Sequence, residues 1–198
     1  MDELESLVNV ALADPAMELE IRIGKIAFGR FRTDVPSSAW NLVKRRLESN
    51  KKWSRTETQS FVDEHFIEGH QRRRTFSDGR IENIRKERIV VHDVPMSNRP
   101  MDLRISLSKE HRIDGPVHGT PSSRKETKTR HRFVHKDLWA FELTEIEGPR
   151  DIDSESSRRY QIEIEFLPMG GSKKYPCKYL ADYGKLLAED VLKMMNQA

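Results

Sequence analysis

The chain has 198 residues with 35 Lys and Arg against 32 Asp and Glu, which gives a formal net charge of +3 and 34% charged residues. This size fits a single domain over residues 1–198, and the one cysteine, Cys177, excludes an intramolecular disulfide framework and a cysteine-rich zinc site. No apolar run reaches the roughly 18 residues of a membrane span, and the acidic start lacks the bases of a signal peptide, so we expect a soluble, intracellular protein.

Three segments space their apolar residues as amphipathic helices do, and they are residues 2–13, 37–50 and 179–196. The first ends before Pro15, because proline cannot continue a helix. The second is predicted to be capped by Ser37 and Ser38. The third carries an apolar stripe that could either cover the outside of a sheet or mediate a homodimer.

Most of the remaining sequence alternates polar and apolar residues, which is typical of half-buried β-strands. The alternating segments are 17–23, 27–33, 53–59, 61–67, 71–76, 80–91, 103–107, 128–134, 139–146 and 160–167. Short connections with Gly, Asp or Pro favour antiparallel neighbours over βαβ crossovers. Residues 114–125 are rich in Gly, Pro, Ser and charge, and they are predicted to form a mobile surface loop.

The first and last strands have ionic polar faces. Glu18 and Glu20 share one face of the segment ELEIRIG with Arg22, and Glu163 and Glu165 share one face of YQIEIEFL. The strands between them have mostly basic polar faces, which hold Lys86, Arg88, Arg104, Lys128, Arg130 and Arg132. One Glu-x-Glu pair alone is usually a solvated sheet face, but two pairs with bases between them indicate a shared ionic interior.

Eight or more antiparallel strands can close into a barrel with a polar lumen. The predicted fold is therefore mainly β (α+β): a closed antiparallel eight-stranded β-barrel tunnel with a charged lumen and about three flanking helices. Two adjacent glutamates repel by about 4 kcal/mol at an effective dielectric of about 20, so four together should protonate or share a cation. Oxygen ligands favour Mg²⁺ or Mn²⁺, and the facing bases suit a polyanion such as triphosphate.

These motifs resemble those of the triphosphate tunnel metalloenzymes, and specifically the metal-dependent RNA triphosphatases that begin mRNA cap formation in fungi, protists and large DNA viruses. The segment ELEIRIG is similar to the family's first glutamate strand and YQIEIEFL to its last, while DLRISLSKE, RHRF and FELTEIE are similar to strands between them. The resemblance implies an RNA 5′-triphosphatase that hydrolyses the γ-phosphate of triphosphate-ended pre-mRNA by metal-assisted water attack. The compact chain is similar to the viral members.

The resemblance also implies a role for each ionic residue. The metal ligands would be Glu18, Glu20, Glu163 and Glu165, for Mg²⁺ or Mn²⁺. The catalytic residues would be Glu142, Arg130, Arg132, Lys86, Arg104 and Glu110, and the substrate-binding residues Arg22, Arg88, Lys128, Thr144 and Ser106. The bases would clamp phosphate oxygens, and Glu142 would orient or deprotonate the attacking water.

Several positions depart from the patterns of the relatives, among them Arg130 where lysine is common and Glu142 in place of aspartate. Gln161 stands where a third glutamate is common on the last strand of the RNA triphosphatases. Arg22 stands where the cyclase and thiamine triphosphatase branch of the superfamily typically has lysine, which favours RNA as the substrate. The implied partners are 5′-triphosphate RNA, free nucleoside triphosphates and a guanylyltransferase for the later steps of capping, with no membrane.

Other functions remain open at the level of sequence. The barrel could hydrolyse tripolyphosphate or free nucleotides, or it could be a non-catalytic RNA-binding module whose acids lie on the surface. The run Arg72, Arg73 and Arg74 must place charge on both faces of its strand, so it is predicted to contact an RNA backbone at the tunnel mouth or to solvate an edge. A cysteine-phosphatase mechanism is not supported, because no arginine follows Cys177 at the required spacing.

Overall fold

The computed structural model describes residues 3–67, 71–115, 117, 121–149, 157–168 and 171–197. In chain order the elements are α1 (Leu4–Ala13), β1 (Met17–Ala27), β2 (Arg30–Arg32), α2 (Ser37–Ser49), β3 (Arg55–Phe66), β4 (Gln71–Phe76), β5 (Ile81–Val94), β6 (Asp102–Arg112), β7 (Pro121–His135), β8 (Trp139–Gly148), β9 (Ser157–Phe166) and α3 (Cys177–Met195), with a short 3-10 turn at Ser172–Lys174 before α3. In these ranges, no helix is long and apolar enough to cross a membrane.

Eight of the strands close into an antiparallel barrel. The hydrogen-bonded order is β1-β6-β5-β4-β3-β7-β8-β9, and β9 pairs back with β1 through Ile21 and Ile164 and their neighbours. The short β2 forms a hairpin with the end of β1 and lies outside the ring. The predicted closed barrel is therefore confirmed, and closure leaves none of its eight strands as an unpaired edge.

The hydrophobic core lies outside the barrel wall, between the strands and the three helices. Leu19, Ile21 and Ile23 alternate with the charged residues of β1 and are fully buried under this layer. The apolar stripe of α3, with Leu180 and Val191, is buried in the same core. This stripe therefore covers the barrel, and it is not available for the homodimer contact considered from the sequence.

The indole of Trp139 fixes how closely α3 approaches the barrel. Its ring N–H donates to the carbonyl of Leu180 at 3.2 Å. A Cβ added at Gly184 would lie 2.4 Å from the same ring, so only glycine allows this approach.

Several boundaries differ from the sequence predictions, including those of β3, β7 and the start of α2. Segments 53–59 and 61–67 belong to one strand, β3, because the steep tilt of strands in a barrel favours long strands. The strand β7 begins at Pro121, inside the predicted loop 114–125, of which residues 116 and 118–120 lie outside the described part of the chain. The cap position of α2 is Pro36, not a serine, and its φ of −57° already suits the approach to a helix.

Candidate active site in the barrel lumen

The barrel lumen contains a charged cavity of about 330 Å³. Successive strand residues point to opposite faces, so every second residue of a strand faces inward. Among the described residues, the bases that line the cavity are Arg22, Arg72, Arg74, Lys86, Lys128, Arg130 and Arg132, and the acids are Glu18, Glu20, Glu110, Glu126, Glu163 and Glu165. Such a cavity is too polar for an apolar ligand and has the charge pattern expected for a polyanion together with a cation.

Most of the residues predicted from the sequence line this cavity. They are the four glutamates of the predicted metal set, together with Arg22, Lys86, Glu110, Lys128, Arg130, Arg132 and Thr144. Two more lie just behind its wall: Ser106 donates a hydrogen bond of 2.9 Å to Glu20, and Glu142 lies between two of the arginines.

Two predicted phosphate ligands, Arg88 and Arg104, do not line the cavity. A β-bulge between Arg88 and Val90 interrupts the register of β5, and the Arg88 side chain is exposed. Arg104 donates from Nε to Asp93 Oδ1 at 2.6 Å, and its guanidinium lies 4.6 Å from the ring centroid of Phe31. Arg88 therefore lies beside an irregularity of β5, and Arg104 is held at Asp93 and Phe31 instead of reaching the cavity.

The predicted metal ligands are gathered on the adjoining strands β1 and β9. Glu20 and Glu165 are register partners across β1 and β9. Burial raises the pKa of Glu18 to about 7, with help from the nearby Glu20 and against the opposing charge of Lys86. Burial and the neighbouring Glu142 also raise the pKa of Glu165 well above its ordinary value. The raised pKa values of Glu18 and Glu165 therefore come first from burial and second from the negative charge beside each carboxyl.

Two bases lie between the same carboxylates and pair with them. Arg22 Nε lies 2.9 Å from a carboxylate oxygen of Glu20 and 2.9 Å from one of Glu163. Lys86 pairs with Glu18 and lies 3.9 Å from Glu20. Burial alone would raise the pKa of Glu20, but Arg22 and Lys86 outweigh it and hold this pKa at about 2.

The donor set fits a hard divalent cation by its chemistry, because it consists of carboxylate oxygens. The side chains do not converge as ligands in this arrangement, since no group of three His, Cys, Asp or Glu residues in the described ranges has metal-site geometry. Occupancy would therefore require Arg22 to withdraw from between Glu20 and Glu163.

Two neighbouring arginines of β7 share one buried carboxylate of β8, and β8 lies beside β9, the strand of Glu163 and Glu165. Arg130 Nη1 and Arg132 Nη1 lie 2.8 and 2.6 Å from the two carboxylate oxygens of Glu142, and Arg132 also reaches Glu165 at 3.0 Å. Burial would raise the pKa of Glu142, but the two guanidiniums outweigh it and lower this pKa. The buried Nε donors of both arginines and the hydroxyl of Thr144 have no hydrogen-bond partner among the residues described. An anion in the cavity could satisfy these groups.

A second ionic cluster in the lumen was not predicted. Asp63 is fully buried and accepts from Arg74 at 2.9 and 3.1 Å and from Lys128 at 3.1 Å. Glu126 is also buried, and it accepts from Arg159 at 2.6 Å. Asp63 was not predicted to face the lumen, because the apolar Phe61 faces inward on the same strand and interrupts the alternation of polar and apolar residues. Glu126 was missed because the predicted strand began two residues later, although it shares parity with Lys128, Arg130 and Arg132.

The run of three arginines is split between the two faces of β4. Arg72 and Arg74 line the cavity, whereas Arg73 points outward and pairs with Glu64 at 3.5 Å. The prediction of a solvated edge was therefore wrong for both, and a contact at the tunnel mouth was wrong for Arg74, which is buried. Arg72 also lines a cavity that adjoins the lumen, so its contact at the tunnel mouth stays a prediction. The signal that could have placed them inside is their parity with Phe76, which faces Phe61 across β3 and β4.

We predict that Asp63→Asn destabilises the fold by about 3–5 kcal/mol at neutral pH, because it leaves Arg74 and Lys128 without their buried partner. Burial would raise the pKa of Asp63, but Arg74, Lys128 and Arg72 outweigh it and hold this pKa well below its ordinary value. A lowered pKa contributes stability above the unfolded pKa of about 3.9, and this contribution is lost as the pH falls below it. Urea unfolding of wild type and Asp63→Asn should show that the difference between their free energies of unfolding becomes smaller below about pH 4.

Asp190→Asn is the matched control for this measurement, because the Asp190 side chain is 46% exposed on α3. It should change the free energy of unfolding by less than about 0.5 kcal/mol. Equal stabilities of wild type and Asp63→Asn at neutral pH would contradict the assignment of Asp63 as the anchor of this cluster.

Comparison with known proteins places the chain among the capping enzymes. The sequence model of a family described as mRNA capping enzyme, beta chain, matches residues 25–198. The match begins after Glu18 and Glu20, so it does not include these two residues, and their proposed role as metal ligands is supported by their position in the cavity. No curated protein sequence matches the chain at a significant level.

Solved structures with the same fold come from a fungus and a virus. The S. pombe Pct1 RNA triphosphatase is 18% identical, with 98% of this chain and 93% of that chain covered and a TM-score of 0.74. The RNA triphosphatase domain of a trifunctional mimivirus mRNA capping enzyme is 14% identical, with coverage of 98% and 95% and a TM-score of 0.69. Pct1 has also been solved in complex with the Spt5 CTD. At these identities the likeness establishes the fold.

Proposed function

Because the chain belongs to the family of mRNA capping enzyme beta chains, we infer that it is a hydrolase, an RNA 5′-triphosphatase that removes the γ-phosphate of triphosphate-ended pre-mRNA. The products are inorganic phosphate and a 5′-diphosphate RNA end, and this reaction is the first step of capping. The observation that carries this conclusion is the closed lumen, in which bases and carboxylates face one cavity of about 330 Å³. The alternative of a non-catalytic barrel with surface acids is disfavoured, because the acids of that cavity face inward.

We propose that Glu18, Glu20, Glu163 and Glu165 hold Mg²⁺ or Mn²⁺. When bound, such an ion would supply a Lewis acid for the γ-phosphoryl group and offset the charge that develops during hydrolysis. Arg22 and Lys86 already contact these carboxylates. A phosphate bound beside the ion would therefore lie close to both bases. The all-oxygen donor set supports this proposal.

The remaining lumen bases would bind the phosphate chain. We propose that Arg130 and Arg132 donate to phosphate oxygens, because guanidinium offers paired donors and both retain unsatisfied Nε groups. Lys128 and Arg72 would neutralise further charge along the same wall. The Thr144 hydroxyl would donate to a phosphate oxygen or a water molecule. These contacts would position the triphosphate and stabilise its loose transition state.

Glu142 would act as a positioning residue in this mechanism. It lies behind Arg130 and Arg132 and does not line the cavity in the described part of the lumen. Its lowered pKa, caused mainly by those two guanidiniums against the effect of burial, disfavours the proton transfer expected from a general base. We therefore propose that Glu142 orients the two arginines, in place of the water-activating role considered from the sequence.

The substrate class can be tested by comparing phosphate release from triphosphate-ended RNA, free GTP and tripolyphosphate at matched concentrations. We expect the highest kcat/KM for RNA. Free GTP and tripolyphosphate should also be hydrolysed, but more slowly, because the lumen contacts involve phosphates, which all three substrates have. A kcat/KM for GTP or tripolyphosphate above that for RNA would contradict RNA as the substrate.

Partner proteins are also proposals. A 5′-diphosphate end is the acceptor for guanylyl transfer, so we propose that a guanylyltransferase acts on the product. A homodimer would have to use a surface other than the buried stripe of α3, which already contacts the barrel.

A further inference from the structure

Two cavities adjoin the lumen at opposite ends of the barrel. One has a volume of about 770 Å³ and shares His65, Arg72 and Lys86 with the lumen. The other has a volume of about 520 Å³ and shares Glu18, Glu110 and Glu165 with the lumen. The second lies where β1 starts and β9 ends. Antiparallel alternation around the ring puts the end of β3 and the start of β4, which line the first, at the opposite end.

The two openings have opposite charge. The basic mouth contains Arg72, Arg85, Lys86 and Arg88 with His65, against one acid, Glu87. The acidic mouth contains Glu18, Glu110, Asp137 and Glu165 against one base, Arg55. A single-stranded polyanion is attracted to the first opening and repelled by the second.

Arg85 and Arg88 are the bases of the basic mouth that have no internal partner. Both side chains are exposed, and neither makes an ion pair with another residue that the structure describes. The β-bulge after Arg88 re-aims the strand at this point, as bulges beside binding sites commonly do. By contrast, Arg72 and Lys86 in the same mouth are engaged with Glu110 and Glu18.

We propose that RNA enters through the basic mouth and that Arg85 and Arg88 bind the backbone phosphates that follow its 5′-triphosphate. This inference rests on the proposed RNA triphosphatase function and adds the direction of substrate entry. Hydrolysis proceeds in line, with the attacking water opposite the leaving diphosphate end. An RNA chain in the basic mouth therefore leaves the acidic mouth as the route for water to the γ-phosphorus.

The test replaces both arginines in one protein, Arg85→Gln/Arg88→Gln, and compares it with Arg45→Gln/Arg55→Gln, which removes the same charge. Arg45 is exposed on the outer face of α2, and Arg55 is exposed at the acidic mouth. We expect the first variant to raise KM for triphosphate-ended RNA roughly tenfold. The control should stay within about twofold of wild type. Hydrolysis of free GTP should be unchanged in both proteins, because GTP has no downstream backbone.

Anisotropy measurements with a 5′-hydroxyl single-stranded RNA give a readout that does not depend on catalysis. The slope of log affinity against log salt concentration should fall by about 1.4 in Arg85→Gln/Arg88→Gln, at about 0.7 for each lost phosphate contact. Equal RNA affinity and KM in wild type and this variant would overturn the proposal. So would a selective loss in the control, which would place RNA at the acidic mouth. A wild type that releases no phosphate from RNA would instead overturn the proposed function.

Discussion

Glu163→Gln should lower phosphate release from triphosphate-ended RNA by roughly 10²–10³-fold, the size of effect seen when one transition-state contact is removed. Glutamine keeps the shape of the side chain but loses the negative charge that a divalent cation requires. Glu163 faces the cavity and contacts Arg22 at 2.9 Å. The substitution therefore removes one proposed metal ligand and also frees the guanidinium between the two glutamates.

Thermal unfolding separates loss of metal binding from loss of chemistry. A ligand that binds only the folded protein raises its stability with concentration, so Mn²⁺ should raise the melting temperature of the wild type and raise that of Glu163→Gln much less. Glu145→Gln is the matched control, because Glu145 lies on the neighbouring strand β8 and pairs outside the cavity with Arg158 at 3.1 Å. Wild-type activity in Glu163→Gln, or an undiminished Mn²⁺ response, would contradict its assignment as a ligand.

Glu142→Gln is expected to lower the free energy of unfolding by about 3–5 kcal/mol, as much as Asp63→Asn, because it leaves two half-buried guanidiniums beside a neutral partner. Both arginines lie within 2.8 Å of this carboxylate. The double variant Glu142→Gln/Arg130→Gln removes one of the two charges left behind, so it should regain part of that stability. It should not regain activity, because a phosphate ligand is then also absent.

Kinetics distinguish the positioning role of Glu142 from direct chemistry. Misplaced arginines should raise KM and lower kcat together while the dependence of kcat on pH keeps its shape. A variant with normal KM that loses one limb of the pH profile would show that Glu142 itself exchanges a proton with water. Stability equal to that of the wild type would contradict the buried triad of Glu142, Arg130 and Arg132.

The alternation of charge along strands was enough to predict the barrel and much of its lumen. A strand with Glu18, Glu20 and Arg22 on one face cannot bury that face against apolar residues, because unpaired buried charges are unfavourable. Two such strands therefore indicated a shared ionic interior. The helices followed from their apolar stripes, which cover the outer wall. The physical rule behind both predictions is the period of the secondary structure, and it is local.

Irregular features limited the rest of the prediction. The bulge after Arg88 changes which face the later residues of β5 occupy. The segment RKERIVV contains no glycine or other residue that predicts a bulge. Arg104 has lumen parity but is drawn to Asp93 on the partner strand, a contact that depends on the register between β5 and β6. Asp63 and Glu126 meet across β3 and β7, 63 positions apart in the chain, so only the closed barrel brings them together.

The most direct test of this account is the release of γ-labelled phosphate from triphosphate-ended RNA by the wild type, with Mg²⁺ or Mn²⁺ and then with a chelator in excess. We predict phosphate release and a 5′-diphosphate RNA product with either metal, and none after chelation. Full activity in the chelator would contradict a cation held by the lumen carboxylates, and intact triphosphate ends under every condition would contradict the proposed reaction.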